Sequence, residues 1–513
     1  MIKLTNTTAP VAVAVGTVAV LAIGALPGDS VARPIIAAVA ALVILSILVA
    51  PGGKSTVNRF RRRRHFARPD RFLSLLYATL RVGTVWDGQA LSMFVALRPV
   101  PFRVAVVGAN ETGLESRSLP LELIRDHLIQ GDVNLESIRV IASGYRAYGD
   151  SAYGQAYTSV VGQTAIPDTL QTVIEIRVNL RKSYQSVLAR ATNGSIPTGI
   201  GKAAHIVSRR LEQNLNIEGF SAKVLRRNEI RDFHDMMLAP MNDGLRDERW
   251  THLGGAVPTV TAAPTEWSEL AVERWLGVPA DRIAYVLEIA NDRHRQATVG
   301  LTVAYSYSKA TKMPARALSL RANDGEHGDH ATAMLPLAQT ISSPAPTLTV
   351  PRGSTFPVSL PAYGLGVYLG PWADGAGRVF LNTDTSGEVL WLETPEAFVQ
   401  QLAARITTTG ARVGVYIDTP QWSDLANRVL GLRLSPTEPV DVAIYQGRPP
   451  SQVPASTVVI VWAPEGVPSA VASAHRITAD ENSVMTVVSR TSRAKFHWEA
   501  PIAELPFVTS LRG

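Results

Sequence analysis

Three stretches of the chain hold residue types whose spacing could do chemistry. In Thr198-Gly199-Ile200-Gly201-Lys202-Ala203 the Gly-Lys pair is that of a phosphate-binding loop. A working loop of that kind also needs a glycine five residues before the pair and a hydroxyl after the lysine to reach magnesium. Ile196 and Ala203 occupy those positions, so the run reads as a glycine-rich helix start. Asp324-Gly325-Glu326-His327-Gly328-Asp329-His330 gathers carboxylates and imidazoles within seven residues, donors suited to a divalent metal. Its two glycines and lack of an apolar frame make it a solvated loop instead. Trp86-Asp87-Gly88 reads as packing at a hairpin turn. The chain holds no Asp-x-Asp pair, no Gly-x-Ser-x-Gly elbow and no His-Glu-x-x-His helix. Without a single cysteine, disulfides, thiolate metal sites and cysteine nucleophiles are excluded. No catalytic, cofactor-binding or metal-ligating residue is assigned, and no cofactor is expected.

The elements that would position these residues alternate between strand and helix. Residues 72–80, apolar on most faces, are expected as a short helix. Residues 82–97 read as strand, Asp87-Gly88 turn and strand, with a further strand at 103–107. A serine cap, an early proline, helical periodicity and a closing glycine predict a helix over 118–131. Strands are expected at 138–142 and, from strict alternation, at 172–180; a helix follows over 200–215. Pro240, Gly244, Gly254, Gly255, Pro258 and Pro264 interrupt regular structure and mark the clearest internal boundary at 240–268. Beyond it come a helix at 266–276, a strand pair at 284–289 and 299–305, and a mostly irregular 322–357 with one short helix. Strands at 366–370 and 379–381 flank a turn at Asp374-Gly375. They precede a capped helix at 394–405 and a buried strand at 413–417. Short strands at 440–445, 457–463 and 483–489 close the chain. This alternation predicts an α/β region with mixed sheets. A faint echo between 85–142 and 366–417 suggests two similar half-domains.

In front of this body lie two apolar runs, 9–26 and 34–50. Each is close to the ~20 residues needed to cross ~30 Å of hydrocarbon as a helix. Behind them Lys54, Arg59, Arg61, Arg62, Arg63, Arg64, Arg68 and Arg71 face a single carboxylate, Asp70. Dense cations beside a span mark the cytoplasmic side. The expectation is a two-helix transmembrane hairpin over 1–53 in the inner membrane, with both termini cytoplasmic, and a basic juxtamembrane segment over 54–71. Gly16, Gly24, Ala37 and Ala41 would let helices approach closely within the membrane. The basic segment suits anionic lipid headgroups, at ~1 kcal/mol per cation near the surface, or acidic faces of neighbouring subunits. It holds as much charge as the whole chain's net +7. The rest is therefore near neutral, and no nucleic-acid-binding surface is expected.

Further features carry a likeness. They are Arg81-Val82-Gly83-Thr84-Val85-Trp86-Asp87-Gly88-Gln89-Ala90-Leu91, Gly370 with Asp374-Gly375-Ala376-Gly377-Arg378-Val379, Gly410-Ala411-Arg412-Val413-Gly414-Val415 with Trp422 beyond, and Val440-Asp441-Val442-Ala443-Ile444-Tyr445. With the arginine-flanked hairpin, this layout resembles the EccE family, the E component of mycobacterial type VII (ESX) secretion membrane complexes, over essentially the full length. None of these motifs is a chemical signature. Gln446 departs from the acidic residue common after Tyr445, and 241–362 is longer than in compact members. The domain layout is then the hairpin (1–53), the basic segment (54–71), a first cytosolic α/β half (72–240), a linker, strand pair and family-variable insertion (241–362), and a second half (363–513). The resemblance implies a peripheral subunit of an inner-membrane translocon, assembled with the B, C and D components, C being the ATPase. It implies no chemistry, and a cytosolic body similar in outline to glycosyltransferase-like α/β folds. The expected function is a non-catalytic structural subunit bracing the cytosolic side. The alternative is a membrane-anchored glycosyltransferase-like enzyme or a degenerate derivative of one, which the missing Asp-x-Asp would fit.

Overall fold

The structure is a computed structural model. It describes residues 8–508 except 28–30, 49–71, 78–79, 88, 109–117, 149–150, 248–258, 263, 293–295, 308–317, 324–326, 337–344, 352, 384–387, 450–456, 467–474, 481–482 and 491. Two apolar helices come first, α1 (Thr8–Gly24) and α2 (Ala32–Leu48). They pack as a pair, Ile44 Cδ1 lying 3.8 Å from where a Cβ on Gly16 would sit. Arg33 secures the connection by donating from Nη2 to the Leu26 carbonyl at 2.5 Å. Each helix has 17 residues, about 25 Å at ~1.5 Å per residue, against a hydrocarbon layer of roughly 30 Å. Ala25 and Leu26, counted in the first apolar run, leave the helix for the turn. No helix among the described residues is long and apolar enough to cross a membrane. The expectation of a transmembrane hairpin, and with it of a two-pass inner-membrane placement with both termini cytoplasmic, is therefore corrected. The apolar helices form, but they stop short of a span.

The next strands are β1 (Phe72–Tyr77), β2 (Leu80–Trp86), β3 (Ala90–Arg98), β4 (Val104–Gly108), β5 (Ile129–Gln130), β6 (Val133–Tyr145), β7 (Thr169–Asn179) and β8 (Ser221–Val224). After them come β9 (Thr259–Ala262), β10 (Arg282–Asn291), β11 (Ala297–Ser306), β12 (Leu320–Ala322) and β13 (Thr347–Val350). All but β4 join one antiparallel sheet with the main order β1-β2-β3-β7-β6-β10-β11-β9-β12. Residues 72–77 are thus an edge strand and not a helix: Phe72 faces Val85 and Tyr77 faces Leu80. A run apolar at nearly every position carries no period to tell the two apart. The helix expected over 118–131 shrinks to α3 (Leu121–Asp126), because Ser118 bridges to Pro361 rather than capping.

Helices cover both faces of this sheet. The α5 (Tyr184–Arg190) and α6 (Ile196–Ile217) pair lies on one face. There Ala203, Val207, Leu211 and Leu215 pack with Ile174, Ile176 and Val178 of β7. α8 (Glu269–Leu276) adds Trp275 to the same core. On the opposite face, α7 (Arg227–Asp247) and α9 (His327–Met334) bring Ile230, Phe233 and Met334 against Phe94, Ile141 and Val173. The α7 helix runs through Pro240 and Gly244, so structure continues past the point where these residues were expected to end it.

The second body has a hairpin, β14 (Val367–Pro371) and β15 (Gly377–Leu381), which β4 joins as a third strand. Its main sheet comprises β16 (Val389–Glu393), β17 (Val413–Tyr416), β18 (Leu432–Leu434), β19 (Val442–Gln446), β20 (Val458–Trp462), β21 (Arg476–Ala479), β22 (Val484–Val488) and β23 (Arg493–His497). Their order is β18-β17-β19-β20-β16-β21-β22-β23, parallel as far as β21 and antiparallel from there. Helix α4 (Ala152–Val161), though it falls between β6 and β7, buries Tyr153, Tyr157 and Val161 in this second core. So do α10 (Glu396–Thr407), through Phe398 and Leu402, and α11 (Pro420–Arg428), through Trp422. The chain therefore crosses between the bodies several times. One body is antiparallel and the other largely parallel, so the echo seen in the sequence does not correspond to a repeated topology. The whole is mixed α/β with several sheets.

Candidate functional site

Buried charge concentrates first in the second core. The turn that follows β23 carries Glu504 inward until it is fully buried. Burial alone would raise its carboxyl, but the Arg405 guanidinium outweighs this and, with Gln401 and Tyr153, holds it below the usual carboxylate range. Arg405 approaches as a fork, Nε donating to Oε1 at 2.9 Å and Nη2 to Oε2 at 2.7 Å. The Tyr153 hydroxyl donates to Oε1 at 2.9 Å and Gln401 Nε2 to Oε2 at 2.6 Å. Arg405 Nη1 is used as well, donating to the Tyr368 and Leu369 carbonyls at 3.0 Å each. A pair so completely matched is a structural clamp.

Asp168, just before β7, stands where the bodies meet. Its carbonyl accepts from the Gly366 amide at 2.7 Å, and its Oδ2 accepts from the Tyr157 hydroxyl at 2.9 Å. Tyr157 in turn accepts from the Tyr368 amide at 3.0 Å. Burial pushes the Asp168 carboxyl up to about 7, against the opposing pull of Tyr157 and Arg146. Its Oδ1 has no hydrogen-bond partner among the described residues.

In the first body a ladder of charges crosses β6 and β7 beneath α9. Arg139 Nη1 donates to Glu175 Oε2 at 2.7 Å and Nη2 to the Ala333 carbonyl. Arg177 Nη2 meets Asp87 Oδ2 at 2.6 Å and Glu136 Oε2 at 3.4 Å. Asp87 also accepts the Gln89 and Ala90 amides, both at 2.8 Å, which fixes the hairpin turn. Burial would raise this carboxyl, but those amides and Arg177 bring it below its ordinary value. Trp86-Asp87-Gly88 is accordingly a structural turn.

Two concavities stand out among the described residues. The larger, about 620 Å³, is lined by Leu123, Asp126, His127, Gln130, Arg210 and Asn214. His127 is held at both ring nitrogens, by Gln130 at Nδ1 and by Asn214 at Nε2 (3.0 Å). Burial and then the Arg210 charge lower its pKa, leaving it neutral near pH 7 despite Asp126 and Gln130. The second, about 520 Å³, lies at the carboxyl ends of β16 and β20 and includes Glu393, Thr394, Glu396, Trp462 and Glu465. Crevices at carboxyl ends of parallel strands are where open α/β sheets bind ligands. Here the lining has three carboxylates and, among the described residues, no cation. Glu396 occupies the first turn of α10, where an anion would be favoured. A nucleoside diphosphate would meet repulsion.

The residues singled out from the sequence lie elsewhere. Lys54, Arg59, Arg61, Arg62, Arg63, Arg64, Arg68 and Arg71 fall outside the described residues. Gly16 is half-buried between the apolar helices, whereas Gly24, Ala37 and Ala41 are exposed. Gly199 and Gly201 sit within α6. A Cβ on Gly199 would come 2.1 Å from the Val187 carbonyl, so glycine serves the close approach of α5 and α6. In the histidine-rich stretch His330 is buried on α9. Among the described residues no group of three or more His, Asp and Glu is placed to hold a metal. Sequence reasoning missed Arg405 and Glu504, which are 99 positions apart. The available signal was Arg405 one helical turn after Gln401, two polar residues on the face of α10 that also carries Phe398 and Leu402.

Residues 167–262 match a family model described as "Putative type VII ESX secretion system translocon, EccE". Among curated proteins no sequence matches the chain. The matched stretch runs from the Asp168 junction through β7, α5, α6, β8 and α7 to β9, so it supplies helical cover to both faces of the first sheet.

Proposed function

We propose that this chain is a non-catalytic structural subunit of a type VII secretion translocon, bracing neighbours through its two-body α/β region. The observation that carries this reading is the EccE match over residues 167–262. Buried charges that satisfy one another, as in Arg405–Glu504, support a scaffold rather than a reactive centre. The neighbours proposed are the B, C and D components, with C the ATPase. The α1–α2 pair presents Val13, Val18, Val20, Leu21, Ile35 and Leu42 more than half exposed. Apolar surface of that extent calls for cover, which adjoining subunits would supply. The basic segment 54–71 would meet anionic headgroups or acidic faces of those subunits.

Gentle extraction of the tagged chain from its own cells, followed by native-gel migration and mass spectrometry, tests the reading. Recovery in a large assembly with an ATPase is expected; recovery as a monomer would overturn it. Replacing Gly24→Glu together with Ala41→Glu should release the chain from that assembly. The transferase alternative draws on the position of the 520 Å³ crevice. It requires saturable heat on titrating nucleotide-sugars with manganese or magnesium, and a flat titration is expected.

A further inference from the structure

The crevice in the second body follows from strand order. β16 and β20 are parallel neighbours, Leu390 facing Ile460 and Leu392 facing Trp462. From β16 the chain goes through α10 to β17, beyond β20 and β19; from β20 it goes the other way, past β16 to β21. Neighbouring strands whose connections leave in opposite directions part at their carboxyl ends and leave an opening there. Its volume, about 520 Å³, is within the ~300–1,000 Å³ usual for ligand sites.

The chemistry of the lining selects the ligand. Glu393 and Glu396 come from the β16–α10 link, and Glu465 from the turn after β20. The lining also includes Thr394, which is only 6% exposed and whose hydroxyl has no hydrogen-bond partner among the described residues. The Thr394 carbonyl accepts from Trp462 Nε1 at 2.9 Å, which ties the two sides of the opening together. A buried hydroxyl oxygen without a donor is an acceptor site left open. Carboxylates around it favour a cation. The three glutamates do not converge as a metal-binding group, so the charge is spread along the crevice rather than focused on one point. Spread carboxylates, a hydroxyl acceptor and an indole wall suit the long, multiply donating side chain of arginine or lysine.

We propose that this crevice docks a basic peptide segment of a partner protein, one arginine or lysine side chain entering beside Thr394 between the glutamates. The proposal does not depend on the translocon reading, because it rests on the crevice alone. The test titrates the full chain into a fluorescent hexapeptide of alternating glycine and arginine and follows anisotropy at low salt. Saturable binding is expected, at least tenfold weaker in Glu393→Gln/Glu465→Gln and at least threefold weaker in Thr394→Val. Glu266→Gln/Glu269→Gln, exposed on the other body, should bind as the unaltered chain does. Circular dichroism checks that each variant is folded, and the glutamine exchanges preserve shape. Equal binding by the crevice variants, or no saturation, would overturn the proposal. So would displacement of the peptide by magnesium or by a nucleotide-sugar. Much tighter binding by a chain with Arg61, Arg62, Arg63 and Arg64 changed to glutamine would place this chain's own segment in the crevice and remove the partner.

Discussion

The first body closes both faces of an antiparallel sheet with helices, while the second leaves the carboxyl ends of parallel strands open. In the first, charge is laid as a ladder across β6 and β7, each cation meeting more than one acceptor. Arg177, for example, touches both Asp87 and Glu136. In the second, one buried carboxylate and one guanidinium concentrate the charge, with Glu504 and Arg405 almost inaccessible. Antiparallel pairing lets successive strands neighbour one another, so no opening need form at a strand end. Parallel pairing forces crossovers, and where they diverge the crevice appears. The strand-end crevice therefore belongs to the second body, whereas the 620 Å³ concavity of the first lies between helices α3 and α6, away from any strand crossover.

The strongest way to break this comparison is Glu504→Leu. It strands Arg405 in the core and should cost about 3–5 kcal/mol, read by chemical denaturation. Glu175→Leu should cost less, roughly 1–3 kcal/mol, because Arg139 keeps the Ala333 carbonyl and Arg177 keeps Asp87 at 2.6 Å. Equal losses would mean that the two charge systems are not organised differently.

A smaller effect follows from Asp168 at the junction. Its folded pKa of about 7 lies above the unfolded value, so the folded state binds the extra proton. Its contribution is complete below pH ~4 and is lost as pH rises toward 7, at about 1.4 kcal/mol per unit at most. Glu504, held low, behaves oppositely: its contribution is present above pH ~4 and lost on further acidification. Asp168→Asn should flatten the decline of the denaturation midpoint between pH 4 and 7. An unchanged slope would remove Asp168 as its source.

A local change, with an effect no larger than that of Glu175→Leu, sharpens the account of the first body. Gly199→Ala should cost about 1–3 kcal/mol by forcing α6 from the Val187 carbonyl. Thermal unfolding would read it, and a neutral result would show that the helices can separate freely.

Much of the local structure could be read directly from residue order. Alternation announced β7, and glycine and aspartate chemistry marked the hairpins at Asp87 and Asp374, because periods of two and turn preferences are local properties. The same local rules failed for 72–77, where apolarity at nearly every position suits either element, and for Ser118, which bridges to Pro361 instead of capping a helix. Length was decisive at the N-terminus: apolar runs were visible, but the first helix ends at Gly24, before Ala25 and Leu26 of its run. What the sequence determined by itself was the α/β class, the absence of cysteine chemistry and the lone concentration of positive charge. Only the tertiary structure decided that β4 and α4 belong to the second core, that Glu504 meets Arg405, and that β16 lies beside β20. Those three outcomes depend on contacts between distant parts of the chain, which no local spacing encodes.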